Sequence, residues 1–296
     1  MRSRSRGGRS PVAEPRSLLL PAWGWYTVFF VAPLLIMVAY SFAINDPDQF
    51  FTVTFGFYTD QFQRVWDPLY LEIYKNTFLM ALSGTIGCLL IGYPFAYFLA
   101  TRAGRYKTLL FFLVIVPFWT SLLIRTYAWL LLLSEQGPLS GVLESMGVIA
   151  NPLNILYTPI SVWIGIVYDY LPLMVFPLYV AIERMDPRLK EASRDLGAGR
   201  AATFWKVTVP LTMPGIITGC LLTFIPMTGE YVVPEILGGA KSFLVGNLVA
   251  NEFRTAIDWP FGAALSMSLV VMMLVVIFAY LGFVRRRSEE SLGSFL

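Results

Sequence analysis

The sequence predicts an all-α membrane protein with six transmembrane helices and both termini in the cytoplasm. Two observations carry that prediction. Hydrophobic residues make up 56% of the 296-residue chain and charged residues only 14%, where a soluble domain carries about 25% charged residues. The charges are also segregated, so that windows 22–44, 77–100, 108–124 and 261–284 hold no Asp, Glu, Lys or Arg. A hydrocarbon core about 30 Å thick needs roughly 20 apolar residues at the helical rise of 1.5 Å. Three windows meet that length unaided, and the third in order can meet it by running past Arg125 to Leu133. Two further spans each contain one acid, 157–182 with Asp169 and 211–233 with Glu230.

Taken in order, residues 1–17 form a basic Arg/Ser/Gly/Pro tail, expected to be disordered and to orient the first helix. The apolar run that follows is longer than the ~7–15 residues of a signal-peptide core, and no convincing A-x-A site closes it, so a retained helix is expected. The outer loop 45–75 mixes Phe, Thr, Tyr and Asp and predicts a compact, partly interfacial structure. Helices two and three are joined by the tight basic turn 101–107, and a short helix is expected at 139–146. A cytoplasmic loop of about 25 residues separates helices four and five, and an outer loop with a Gly238-Gly239 turn precedes helix six. The transmembrane domain is thus read over 18–288, with a short tail at 289–296.

Counting Lys and Arg by loop places the termini. Seventeen of the 22 basic residues fall on one side and only Arg64, Lys75, Lys241 and Arg254 on the other, with Arg125 inside a span. The basic side is the cytoplasmic one. Prolines 33, 94, 117, 172, 177 and 226 all lie inside spans, where each removes a backbone donor and either supplies a bend or is ordinary membrane-helix proline. Cys88 and Cys220 form no CxxC pattern and read as packing residues, and there is no histidine. With no histidine, metal cluster or nucleophile–base pair in sight, an enzyme is disfavoured.

The loop between helices four and five holds the most informative pattern: Glu191-Ala192-Ser193-Arg194-Asp195-Leu196-Gly197, nine residues, then Val207-Thr208-Val209-Pro210. Asp186 can cap a helix whose first position is Pro187, and Gly197 can end it in a left-handed conformation. A second short helix is expected over 201–206. The product is a helix–turn–helix standing out of the bilayer, with small residues on one face for close approach to a partner.

This loop resembles the EAA signature of binding-protein-dependent ABC importer permeases: Glu-Ala-Ala, three residues, Gly, nine residues, Ile-x-Leu-Pro. Glu191, Ala192, Gly197 and Pro210 fall in register, Ser193 stands for Ala, and Val207 and Val209 for Ile and Leu. The resemblance implies a type I (MetI-like) importer permease fold, with loop 183–210 as a coupling helix docked on a separate ATPase. Glu191, Ala192, Ser193, Asp195, Leu196, Gly197 and Pro210 would then be the coupling residues. It also implies two cytoplasmic ATPase subunits that bind the ATP and Mg, a second permease subunit, most naturally a different chain, and an extracytoplasmic solute-binding protein. The absence of a G-x-x-x-x-G-K-[ST] loop in this sequence agrees, because the chain itself has no phosphate cradle of that kind. Nothing points to a cofactor of this chain's own or to nucleic acid; lipid is the remaining partner.

Further stretches resemble the spermidine/putrescine permease branch: Ile115–Thr120 with Leu123-Ile124-Arg125, Val167–Pro172, Gly229–Glu235 and Asp258–Gly262. That branch implies polyamine transport at the inner membrane; related permeases carry other organic cations, amines or ferric iron. The residues argue the same way independently. An ionisable group at membrane depth marks a functional site by default. Asp169 and Glu230 lie in spans, Glu235 lies just beyond one, and Trp119, Tyr168, Tyr170 and Tyr231 stand nearby in sequence or in neighbouring helices. Carboxylates with aromatic faces suit an ammonium group. Two plainer readings stay open: Asp169 as an interhelical partner for Arg125, and the aromatics as packing or interface residues. An ion-gradient carrier using Asp169 or Glu230 as its proton site is the competing transport class, but it would have no use for the projecting loop.

Overall fold

The computed structural model describes residues 20–45, 52–239 and 244–293. The basic tail expected over 1–17 and the outer-loop residues Asp46, Asp48 and Lys241 lie outside the described residues. The fold is helical. Four helices are long and apolar enough to cross a membrane, or six if each of two bent helix pairs makes one span.

The first span, Pro21–Ser41, comprises α1 (Leu20–Tyr26) and α2 (Ala32–Ser41) around one π-helical turn at Thr27–Val31. Pro33 lacks an N–H, so the carbonyl one turn earlier loses its partner where the helix widens. A two-stranded hairpin follows, β1 (Ile44–Asn45) antiparallel to β2 (Val53–Thr54), and then α3 (Asp60–Val65). Helix α4 (Pro68–Thr101) has 34 residues and starts nine residues before the charge-free window. The reason is local: the Asp67 carboxylate accepts the Leu69 N–H at 3.0 Å and Pro68 occupies the first turn, a start signal that Glu72 and Lys75 do not interrupt.

The third span departs from expectation. It is a pair bent by 98°, with α5 (Lys107–Ile115) and a 3₁₀ turn at Val116–Trp119 on one arm. The other arm is α6 (Leu122–Leu133) and α7 (Pro138–Ser145). Pro117 starts the tight turn, and Thr120 and Ser121 then adopt extended ψ angles of 152° and 137°, which no helix accommodates. Helix α8 (Pro159–Glu183) follows as expected, begun by a Thr158–Ser161 capping box. After α9 (Pro187–Asp195), the segment α10 (Arg200–Thr203), a π turn at Phe204–Thr208 and α11 (Val209–Leu211) run on as one arm. That arm meets α12 (Met213–Thr228) at 64°.

The span expected over 211–233 is therefore not a single helix. It stops at Thr228, turns at Gly229 and restarts as α13 (Val232–Gly238), which with α14 (Val245–Asn251) builds helical structure into the expected outer loop. A π turn at Glu252–Ala256 leads to α15 (Trp259–Gly293), which runs past the expected boundary at residue 288. Pro94, Pro172, Pro177 and Pro226 sit inside uninterrupted helices, whereas Pro117 lies at the 98° bend and Pro214 in the first turn after the 64° bend.

The core is the packing of α4, α8 and α12, closed at one end by α13. Cys88, Tyr93 and Ala96 meet Ile166, Met174, Val175 and Leu178, with Phe224, Met227, Val233 and Leu237 completing the cluster. Glycines allow the helices to approach closely, as membrane packing without a hydrophobic drive requires. A Cβ on Gly215 would lie 2.4 Å from the Ala181 Cβ and 2.7 Å from the Pro177 carbonyl oxygen. A second cluster of Val65, Tyr74, Val245, Leu248, Phe261 and Leu265 ties α3, α4, α14 and α15 together. The rest of the helix surface is apolar and exposed: Trp25, Phe29, Ile36, Leu90, Val275 and Phe278 all present more than a third of their area. Such belts suit lipid or other chains and would be a liability in water.

Replacing Gly215 by Val is expected to lower stability by about 1–3 kcal/mol through overpacking, read as a lower midpoint of thermal unfolding in detergent. An unchanged midpoint would show that α8 and α12 do not approach this closely.

Candidate functional site

Two sets of residues stand out, one on the projecting loop and one inside the helix bundle. On the loop, the Asp186 carboxylate accepts the Arg188 N–H at 2.9 Å and Pro187 fills the first position, which starts α9. The helix ends as the sequence implies. Gly197 has φ +84°, its N–H bonds the Arg194 carbonyl at 2.9 Å, and the Ala198 N–H bonds the Ser193 carbonyl at 3.1 Å. That pair of bonds is a Schellman closure, and a Cβ would strain it.

Two side chains tie the loop to the bundle. The Ser193 and Thr203 hydroxyls are 3.1 Å apart, holding α9 against α10. The Lys190 ammonium sits 4.7 Å from the Tyr97 ring centre, near the C-terminal end of α4. Glu191, Ala192, Asp195 and Leu196 are exposed, Leu196 at 89%. Pro210 follows the π turn and is also exposed, while Thr208 and Thr212 beside it are buried. The Tyr93 hydroxyl is 2.9 Å from the Thr212 hydroxyl, which links the foot of α12 to α4. The second expected helix, over 201–206, is longer than expected and incorporates Pro210.

Inside the bundle the structure brings Arg125, Asp169, Tyr170 and Glu230 together. Asp169 on α8 is buried, and Arg125 on α6 places Nε 3.5 Å from Asp169 Oδ1, an ion pair without a hydrogen bond. Neither Asp169 oxygen, nor Nε or Nη1 of Arg125, makes a hydrogen bond among the described residues. The Arg125 guanidinium lies 5.1 Å from the Phe118 ring centre, across the bend in the third span. The partnership between Arg125 and Asp169, kept open on sequence grounds, is thus present, yet it leaves polar atoms of both groups unmatched.

Glu230 proves to be placed by the helix break. Its Oε1 accepts the N–H groups of Val232 and Val233 at 2.8 and 3.3 Å, satisfying donors at the start of α13. Its Oε2 accepts the Tyr170 hydroxyl at 2.6 Å. The remaining expected residues lie around this centre or apart from it. Tyr168 packs edge-on against Trp129 at 5.3 Å. The Tyr231 carbonyl accepts the Asn247 amide at 2.8 Å. Glu235 is exposed in an open cleft with Tyr127, Leu130 and Tyr157. Trp119 is 74% exposed and meets Phe112 edge-on, so it does not join the carboxylates. Tyr170 was visible in sequence only as a neighbour of Asp169; its bond to a residue 60 positions away carries no local signal. No group of three or more metal-ligating side chains occurs among the described residues.

Removing one partner of a buried ion pair leaves the other charge uncompensated, at a cost of about 3–5 kcal/mol. Arg125→Gln and Asp169→Asn are each expected to lower the thermal unfolding midpoint, and the double variant to recover most of the loss. Additive losses in the double variant would show that the two groups do not interact.

Comparison with known proteins agrees with this geometry. Residues 92–289 match the family described as the binding-protein-dependent transport system inner membrane component. The chain is 45% identical over 257 residues to the spermidine/putrescine transport system permease protein PotB of Escherichia coli K12, covering 87% of this chain and 93% of that one. It is 46% identical over 258 residues to the protein of the same name from Haemophilus influenzae, covering 87% and 90%. Among solved structures, a bacterial ABC transporter involved in the import of the acidic polysaccharide alginate matches at TM-score 0.67 and 17% identity, covering 92% of this chain and 94% of that one. A bacterial alginate ABC transporter in complex with a pentasaccharide-bound periplasmic protein matches at TM-score 0.72 and 16% identity, covering 92% and 93%. With the loop spacing and the bundle described above, these matches place the chain in the family of binding-protein-dependent inner-membrane transport components, in the branch of the spermidine/putrescine permeases.

Proposed function

We propose that this chain forms half of the translocation pathway of an ATP-driven importer of polyamines, spermidine or putrescine or a closely related amine. Each bent pair counts as one span, which gives six spans with both termini cytoplasmic, in accord with the 17 basic residues on one side. The observation that carries the reading is α9 itself. It is capped by Asp186, closed by Gly197 and tied to the bundle through Lys190 and Ser193, and it leaves Glu191, Ala192, Asp195 and Leu196 uncovered. A short rigid helix with that exposed face suits the groove of a cytoplasmic ATPase. Two such ATPases, which hold the ATP and Mg, would drive this chain and a second, homologous permease. An extracytoplasmic binding protein would deliver the solute.

The solute class rests on the names of the relatives and on the carboxylates. An ammonium group passing the bundle can take hydrogen bonds from neither Arg125 nor a backbone N–H, but it can donate to the unmatched oxygens of Asp169. Glu235 in the open cleft and the aromatic faces of Tyr168, Tyr231 and Trp119 would line the approach by ion pairing and cation–π contact, each worth about 0.5–2 kcal/mol. Glu230, engaged by two N–H groups and Tyr170, would act by holding α13 and the electrostatic field in place.

Reconstituted with its ATPases, second permease and binding protein, the chain is expected to take up spermidine or putrescine only when ATP is supplied. Uptake driven by an ion gradient without ATP would overturn the proposal. Within that system, Gly197→Pro and Glu191→Lys should abolish coupled uptake while the permeases stay folded, and wild-type coupling in both would remove α9 from its role. Asp169→Asn and Glu235→Gln should reduce uptake more than complex assembly; unchanged uptake kinetics in both would take these acids out of the path.

A further inference from the structure

Between α9, α10 and the end of α4 lies a cavity of about 370 Å³ lined by Tyr97, Arg102, Lys190, Arg194, Arg200 and Thr203, with Phe204 and Thr208 behind them. Four of these residues are cationic and none is acidic. Among the described residues the three ion pairs are Arg64–Asp258, Lys107–Glu183 and Arg125–Asp169, so none of the four cations has a carboxylate partner. Unpaired basic residues are ordinary on a cytoplasmic loop, but here they converge. Lys190 is half-buried over the Tyr97 ring, Arg102 caps the end of α4, and Arg194 and Arg200 come from either side of the Gly197 turn. The buried Thr203 and Thr208 hydroxyls add neutral polar groups to the wall. A concave site of this composition is complementary to a phosphate-bearing anion.

Position selects the source. Arg102 follows immediately on the 34-residue α4, and Tyr97 is within that helix, so the cavity sits where a membrane span meets its aqueous loop. It is also on the bundle side of α9, the side of Lys190 and Ser193, away from the exposed Glu191 and Asp195. We infer that this cavity binds the phosphate headgroup of an anionic phospholipid, bridging the end of the second span to the projecting loop. The bridge holds α9 at a set distance from the membrane surface, through charges that would otherwise repel one another. Basic pockets between membrane helices on the cytoplasmic side are suited to such headgroups, each Lys or Arg adding to the attraction. The inference rests on the cytoplasmic orientation proposed above.

The test uses the assembled complex. Purified in mild detergent from membranes containing phosphatidylglycerol and cardiolipin, the wild type is expected to retain one of these lipids in native mass spectrometry. Arg102→Gln/Arg200→Gln should weaken that retention about thirtyfold. Arg102→Lys/Arg200→Lys, which keeps the charges, should restore it. In nanodiscs, ATP-driven uptake by the wild type should fall severalfold when anionic lipid is replaced by phosphatidylcholine, and the Gln variant should be insensitive to the exchange. Equal retention in the wild type and the Gln variant would overturn the inference. So would recovery of full uptake in phosphatidylcholine on adding millimolar inorganic phosphate, which would assign the cavity to a free anion. A Gln variant that keeps its lipid but loses affinity for the ATPase would overturn it too, in favour of acidic side chains of that subunit. Failure of the orientation reads out separately. Gly199→Cys labelled by a membrane-impermeant thiol reagent from outside intact cells would sink the topology and leave lipid retention as measured.

Discussion

A helix broken inside lipid must find protein partners for every backbone group the break sets free, because hydrocarbon offers none. This constraint governs the end of the bundle that carries α13 and α14. Between α12 and α13 the freed N–H groups of Val232 and Val233 are taken up by the Glu230 carboxylate, itself held by Tyr170 of α8. At the other end of α13, the Leu237 carbonyl accepts both the Tyr157 N–H and the Ser161 hydroxyl, each at 2.9 Å. The first N–H of α14 is accepted by the Thr77 hydroxyl of α4 at 2.9 Å. Each break is therefore bonded to α4 or α8, the two helices at the centre of the core. Glu230, a candidate for the solute path on sequence grounds, is also the keystone of that arrangement. Asp169, one residue from Tyr170, is the carboxylate left with oxygens to spare.

The end of the bundle that carries α9 is organised differently. Polar side chains there hold the loop together and connect it to α4: Ser193 to Thr203 within the loop, Lys190 to Tyr97, and Thr212 to Tyr93 at the foot of α12. Rings reinforce the same line, with Phe204 edge-on to both Tyr93 and Tyr97. The loop of α9 is thus joined to α4 through aromatic and hydroxyl contacts a few ångströms long. Gly215 lets α12 lie directly on α8, and the close packing leaves little room for compression between them.

What could be read from the sequence was what depends on local chemistry or on composition averaged over a span. Asp186, Pro187 and Gly197 announce α9 because capping, a preset φ and a left-handed closure are properties of single residues. The apolar windows announce membrane helices because hydropathy is additive. Direction is neither local nor additive. The 98° bend at Thr120 and Ser121 arises from two small residues taking extended conformations inside an apolar run, where Pro117 was the sole hint. The stop at Gly229 was hidden for the same reason: the window 211–233 is apolar enough to span, and only the tertiary bonds of Glu230 show that the chain restarts there. Helices α13 and α14 fell in a stretch read as loop because each has only seven residues, too few for a periodic pattern to declare itself. Arg125 and Asp169 were each visible as charges at membrane depth, but their mismatch in hydrogen bonding is a matter of geometry alone.

The length of α4 has a consequence of its own. At 1.5 Å per residue its 34 residues extend about 51 Å, against about 30 Å of hydrocarbon. Leaning the helix absorbs only part of the excess, since even a steep inclination of ~40° lengthens the path through the acyl chains to roughly 39 Å. About two turns must therefore stand clear of the oily layer. The hydroxyl of Tyr74 bonds the Leu265 carbonyl at 2.8 Å, and Phe261 and Val65 pack around it, so this overhang is braced on two sides. The chain thus raises a stiff pedestal at the N-terminal end of α4, of fixed height above the hydrocarbon.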